Sequence, residues 1–325
     1  MRAALLNDQH DFEIVDVDDP TPGSGQLVLK VGACGICGSD LKAFGAMPAG
    51  TVMGHEFCGE IVAVGSGAGV WREGQTVAAM PLFACGTCRW CLADEPAHCV
   101  KVDYQGVGGS AGAFAEYVRV DAASAVRLAD GVGEFGALVE PLAVGLHAVG
   151  AAHLHAGERV LVIGGGNVGA AVSVWANRLG AGDVVVSDPV AGRRDAAAAF
   201  GATGVHDPAA ERLPTGFDVV FECSGVPGTV QGGMDAAGVR GRVVIAGVCM
   251  VPDQIVPLTA IMKEIHLSFA VYYRGREFAA AADLLASGDI DAGAFVSRRV
   301  GLDGLNAAFE TLLAPNTERK ILVTP

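Results

Sequence analysis

The sequence predicts an α/β protein in which a doubly wound parallel sheet, residues 143–288, is inserted into a β-rich domain formed by residues 1–142 and 289–325. Two patterns carry that prediction. From about residue 157 onward, apolar strand-like runs alternate with alanine-rich helical stretches, as parallel strands joined by helical crossovers require. Before residue 140, short alternating or β-branched runs are separated by Gly and Pro, which reads as a sheet of short strands. The length, 325 residues, agrees with two domains.

The β-rich part carries strand candidates at Leu27–Val31, Glu60–Val64, Gln75–Ala79 and Ala115–Val120. In the inserted part the strand candidates are Arg159–Ile163, Asp183–Ser187, Phe217–Glu222, Arg242–Ala246 and Leu267–Tyr272. Helical stretches lie between and after them at Val168–Leu179, Arg194–Phe200, Val226–Ala237 and Glu277–Ala286. From Ala292 the tail returns to strand–helix–strand and ends in Lys320–Val323. The composition, 51% hydrophobic and 18% charged, suits a large globular core. The net charge of −14 repels phosphate backbones and anionic lipid, so neither nucleic acid nor a membrane surface is an expected partner. Asn7, Asp8 and Gln9 interrupt the N-terminal apolar run, so no signal peptide is read. No apolar run reaches the roughly 18–20 residues of a membrane span. A cytoplasmic protein is expected.

In such a chain, nine cysteines point to metal or thiol chemistry rather than disulfides. Cys85, Cys88, Cys91 and Cys99 have the spacing C-x2-C-x2-C-x7-C. Gly86 lets this loop turn, and four thiolates can close a tetrahedron around zinc with no open position, which makes a structural site. An iron–sulfur site and free packed cysteines are the competing readings. A nucleic-acid-docking zinc module is disfavoured, because Asp94, Glu95 and Asp103 oppose the basic Arg89 and Lys101.

Gly164-Gly165-Gly166-Asn167-Val168-Gly169 follows a predicted strand and opens a predicted helix, the context a dinucleotide-binding loop needs. Gly164 allows the tight turn. Gly166 lets the backbone approach a pyrophosphate, and Gly169 lets helix pack on strand. The amides of Asn167 and Val168 at the helix start would face the phosphates. Asp188 stands 19 residues after Gly169 and would accept hydrogen bonds from the adenosine ribose, which favours NAD over NADP. Arg193 and Arg194 follow closely. Cys223 and Val248 sit at the ends of later strands, the side on which ligands bind a doubly wound sheet, and are candidate nicotinamide neighbours.

Three further segments are each weak alone: Cys34-Gly-Ile-Cys37-Gly-Ser39-Asp40, Gly54-His55-Glu56, and Glu140-Pro-Leu-Ala-Val-Gly-Leu-His147. A lone histidine is more often a packed residue, a Glu-Pro pair often marks a helix start, and Cys34 with Cys37 could be a redox pair. In this order, with the cysteine cluster and GGGNVG, they resemble the zinc-containing medium-chain dehydrogenases. The segment EPLAVGLHA is most similar to the sorbitol, threonine and butanediol dehydrogenase branch. The resemblance implies a GroES-like catalytic domain beside a Rossmann domain, with Cys37 and His55 as catalytic zinc ligands. Glu140 or Glu56 would supply the carboxylate, directly or through water, leaving one position open. Cys34 matches a non-ligand cysteine.

Ser39 matches a proton-relay hydroxyl. Lys42 stands where relatives often have His, and a lysine is a poor shuttle at neutral pH unless its surroundings lower its pKa. Phe44 and Met47, between Cys37 and His55, are expected to face substrate. The implied activity is zinc-dependent hydride transfer between a secondary alcohol or polyol and NAD, in a homodimer or homotetramer acting on a small molecule. Two alternatives stand beside it: an NAD(H)-dependent lyase or epimerase without net redox, and a non-catalytic NAD(H)-binding protein.

Overall fold

A computed structural model describes every residue from Met1 to Pro325. The chain forms two compact units, Met1–Glu140 with Arg274–Pro325, and Pro141–Tyr273. The sequence reading divides the chain after 142 and 288 instead. The difference is helix Gly275–Ser287, which follows the strand–helix alternation in sequence but belongs to the first unit.

The first unit is organised by a seven-stranded sheet. Its order is Val296–Val300, Lys320–Val323, Gln26–Gly35, Glu56–Val64, Thr76–Ala79 and Ala125–Arg127, with Tyr117–Asp121 also pairing on Gln26–Gly35. Alternation in the long strand Gln26–Gly35 buries Leu27, Leu29, Val31 and Ala33, and the first three share one core with Phe57, Ile61, Val77 and Phe114. The last strand pairs antiparallel with the end of this one, Leu322 opposite Gly35 and Val323 opposite Cys34. On the other side Gly35 faces Glu56. Three segments far apart in sequence therefore meet at Gly35.

The second unit is a six-stranded, fully parallel sheet. Its order is Gly204–His206, Asp183–Ser187, Arg159–Ile163, Phe217–Glu222, Ala237–Ile245 and His266–Phe269. Sequence order reverses direction between Asp183–Ser187 and Phe217–Glu222, so the strand Arg159–Ile163 sits at the topological switch point. Val160, Leu161 and Val162 are fully buried, as a strand covered on both faces demands. The short strand Gly204–His206 and helix Pro257–Lys263 escape the sequence reading. The first is only three residues long, and the second exposes Leu258, Ile261 and Met262 instead of a clean apolar stripe. No helix is long and apolar enough to cross a membrane.

Gly59 is required by strand approach: a Cβ there would lie 2.2 Å from the backbone oxygen of Lys30. Gly59→Ala should lower the denaturation midpoint by the equivalent of roughly 1–3 kcal/mol, an overpacking cost that no side-chain rotation relieves. Equilibrium denaturation followed by circular dichroism measures it.

Candidate functional site

In the first unit, one cluster grows from the crossing at Gly35. Cys37 precedes the short helix Gly38–Ala43 and its amide donates to Asp40 Oδ2 at 2.9 Å, which fixes the turn. Gly54 adopts φ +97°, and a Cβ on it would stand 2.7 Å from Phe114 Cδ1 and 2.8 Å from Cys34 Sγ. Only glycine passes this point, and the chain then delivers His55 and Glu56 at the start of the next strand. The ligand atoms of Cys37, His55 and Glu56 lie within 4.8 Å of one another. Ligands placed tetrahedrally at zinc distances stand roughly 3.3–3.8 Å apart, so this sulfur, nitrogen and oxygen set fits that ion with little adjustment.

Partners hold each of the three. Ser39 Oγ donates to Cys37 Sγ at 3.1 Å and lies 3.4 Å from His55 Nε2. On the opposite ring edge, His55 Nδ1 is 3.1 Å from the fully buried Asp40 Oδ1. A carboxylate on Nδ1 orients the imidazole and leaves Nε2 for a metal. Burial works against a charged His55, but Asp40, joined by Cys37, outweighs it and pushes the pKa well above the ordinary histidine value. Glu56 is 1% exposed and pairs with the Lys320 ammonium, which is itself completely buried and also donates to Ile36 O at 3.0 Å. Burial opposes the Lys320 charge, and Glu56 with Cys37 and Glu140 more than restores it, so its pKa is raised.

Glu140 is buried at the start of helix Val139–Ala151, outside the trio of ligand atoms. Lys42 is exposed on the last turn of its helix. Cys34 is buried away from solvent, and desolvation pushes its thiol well up. Phe44 and Met47, expected to face substrate, pack against the core of this unit. The Phe44 ring lies 5.4 Å from Phe309 and 6.2 Å from Phe12. The segment between Cys37 and His55 folds as two short helical turns, which carry these side chains inward. Asp40 and Lys320 are contributors that sequence reading missed. Asp40 was visible beside Cys37, but Lys320 gave no local signal.

The four cysteines of the loop converge as their spacing suggests. Their sulfurs lie within 4.8 Å of one another, with Cys88 and Cys91 3.6 Å apart and Cys85 and Cys91 4.0 Å apart. Four thiolates about 2.3 Å from one ion would be roughly 3.8 Å apart. Hydrogen bonds from Thr87, backbone first, lower the Cys85 pKa to about 5, while burial raises that of Cys91 to about 12. The loop has a second job: Asp94 accepts from the amides of Gly275 at 2.9 Å and Arg276 at 3.1 Å, and Glu95 pairs with Arg274 at 2.6 Å. The two Asp94 bonds satisfy the first free amides of helix Gly275–Ser287 and, with the burial of Phe278, Ala281, Leu284 and Leu285, tie it to the first unit.

In the second unit the glycine loop leaves the central strand with Gly164 at φ +99°. A Cβ on Gly169 would lie 1.8 Å from Gly164 O, whereas one on Gly166 would meet nothing within 4 Å. Gly169 is therefore a packing glycine, and Gly166, at the start of helix Asn167–Arg178, has open space in front of it. Asp188 accepts from Gly165 N through Oδ2 and Val190 N through Oδ1, both at 2.8 Å. Arg194 is held by Asp207 at 2.7 Å and by the Asp188 carbonyl, leaving Arg193 at 3.6 Å from the Asp188 carboxylate. Cys223 follows the strand Phe217–Glu222, where burial and Glu222 raise its pKa, and Val248 is exposed. Glu222, unassigned in the sequence, accepts from Ser224 N, Gly225 N and Thr229 Oγ1 at 2.8, 2.9 and 3.0 Å. It fixes the turn against which Gly164 rests.

The chain is similar to known proteins over its whole length. Residues 23–130 match the alcohol dehydrogenase GroES-like domain family, and residues 167–287 match the zinc-binding dehydrogenase family. The (R,R)-butanediol dehydrogenase of Bacillus subtilis is 33% identical, covering 100% of both chains. Sorbitol dehydrogenase of the same species is 29% identical over 100% of this chain and 97% of its own. A zinc-binding dehydrogenase from Sinorhizobium meliloti, solved with NADP, superposes with a TM-score of 0.91 at 32% identity, covering 100% of this chain and 99% of that one.

Two substitutions test the cysteine loop. Asp94→Ala should cost about 1 kcal/mol through loss of the helix cap, read by thermal denaturation. Cys91→Ser should remove one bound zinc per chain by elemental analysis.

Proposed function

This chain belongs to the zinc-binding alcohol dehydrogenase family of nicotinamide-dependent oxidoreductases, and on that premise we propose that it oxidises a secondary alcohol or vicinal diol to a ketone with NAD. The observation that carries the proposal is the convergence of Cys37, His55 and Glu56 within 4.8 Å. Zinc held by these side chains would supply Lewis acidity toward a substrate hydroxyl, and NAD would accept the hydride.

The chain's own groups do the rest. Cys37, His55 and Glu56 bind, with Glu56 as the direct carboxylate and Glu140 as a buried neighbour outside the set. Asp40 keeps His55 Nε2 facing inward. Ser39 Oγ, 3.1 Å from Cys37 Sγ, is the relay hydroxyl that passes the substrate proton outward, and Lys42, exposed on the same short helix, offers a charged donor at its solvent end rather than a proton acceptor. Cys85, Cys88, Cys91 and Cys99 hold a structural zinc. Secondary-alcohol substrates are named from the relatives that act on butanediol and sorbitol.

Gly164, Gly166, Asn167, Val168 and Gly169 would receive the pyrophosphate, and Asp188 the adenosine ribose, with Arg193 beside it and Cys223 and Val248 toward the nicotinamide. The Asp188 carboxylate supports NAD, because a 2′-phosphate would meet its charge, while Arg194 is already occupied by Asp207. The structural relative bound to NADP makes the cofactor a point for measurement.

The same reading includes a homodimer or homotetramer, in the cytoplasm. The edge strand His266–Phe269 leaves Phe269 75% exposed, and nearby Ile261 and Met262 are 68% and 73% exposed. A second copy would cover such an apolar edge.

Zinc-loaded protein should form NADH with vicinal diols and secondary alcohols. Absence of turnover with either nicotinamide across a broad alcohol panel would sink the proposal. Asp188→Ser should shift the kcat/KM ratio toward NADP by roughly tenfold or more, about 1.4 kcal/mol of differential binding. Phe269→Asp should lower the molar mass of the assembly in light scattering, because a charge on that edge opposes its burial against a second copy.

A further inference from the structure

We propose that Lys320 is a positioning residue that engages one oxygen of Glu56, so that the carboxylate offers a single oxygen to the metal and one coordination position stays open. The inference rests on the metal reading above and deepens it.

Lys320 reaches this place from the last strand of the chain. Its side chain is 0% exposed and Glu56 is 1% exposed, so each charge needs the other. The ammonium contacts Glu56 Oε2 and, from its other side, donates to Ile36 O at 3.0 Å. It is thus anchored to the backbone one residue before Cys37. The pair also fits a space cut for it: a Cβ on Gly35 would stand 2.1 Å from Glu56 Oε2 and 3.1 Å from Lys320 Cδ. Strand register places Gly35 opposite both Glu56 and Leu322, so the two charged side chains share the volume that glycine leaves.

A carboxylate can ligate through one oxygen or two. With Oε2 occupied by the ammonium, Oε1 is the oxygen left for an ion. Two oxygens together with Cys37 and His55 would complete four ligands and close the site. Lys320 also compensates Glu56 when no ion is bound, so an incoming ion competes with it. Removing the ammonium should therefore tighten metal binding and raise the ligand number.

Lys320→Met tests this in the full-length protein, with zinc affinity read by competition against a chromophoric chelator and ligand number by the absorption of cobalt-substituted protein. The expected result is zinc binding tighter by on the order of tenfold at this site, because a cation that repels the ion and competes for Glu56 has been removed, with a cobalt spectrum that shows an added oxygen ligand and an unaltered thiolate loop. Lys320→Arg, which keeps a charged donor, should restore both readouts. Equal or weaker zinc affinity with an unchanged cobalt spectrum would overturn the inference. If the Met variant does not fold, Lys320→Gln is read against the same two outcomes. Cys37→Ser separates the inference from its premise: it should lose one metal and retain the other. Wild-type protein binding only the loop metal would instead defeat the metal reading itself.

Discussion

Asp40, His55, Glu56 and Lys320 crowd a region almost closed to water, and each is tolerable there because of its neighbours. Asp40 faces one edge of the imidazole, Lys320 faces the Glu56 carboxylate, and Cys37 and the other edge of His55 face inward. An unpaired charge in such surroundings would cost several kcal/mol. That cost obliges the backbone to bring three distant segments to one point, and the glycines at 35, 54 and 59 are the places where it does so. Gly35 leaves the pair its volume, Gly54 turns the chain beneath Phe114, and Gly59 lets two strands close on each other.

The cysteine loop shows the same economy of structure. Its sulfurs converge at spacings that suit a single ion, yet the acidic residues between them have another use. In the sequence Asp94 and Glu95 read only as charges that oppose Arg89 and Lys101. In the fold Asp94 accepts from the first amides of helix Gly275–Ser287, and Glu95 pairs with Arg274 just before it. Organising the loop thus also fixes the helix on which the chain returns to the first unit.

In the dinucleotide unit the ends of neighbouring strands are tied together by carboxylates. Asp188 bonds the glycine loop, and Glu222 gathers the turn after its own strand. Both acids are therefore parts of the scaffold at the carboxyl end of the sheet. Asp188 accepts from the Gly165 amide, so its carboxylate and the shape of the glycine loop are fixed together.

The sequence by itself determined the two-part α/β architecture, the strands Arg159–Ile163, Asp183–Ser187, Phe217–Glu222 and Lys320–Val323, the thiolate loop, and the glycine loop. These are local properties: period, spacing, and punctuation by glycine act over a dozen residues or fewer. Tertiary structure alone decided that Lys320 is buried against Glu56, that Phe44 and Met47 turn to the core, and that helix Gly275–Ser287 joins the first unit. Strand register and the compensation of buried charge act between residues hundreds of positions apart, and no local pattern records them. Of the two carboxylates left open by sequence, Glu56 stands with Cys37 and His55, because it lies directly across the sheet from Gly35.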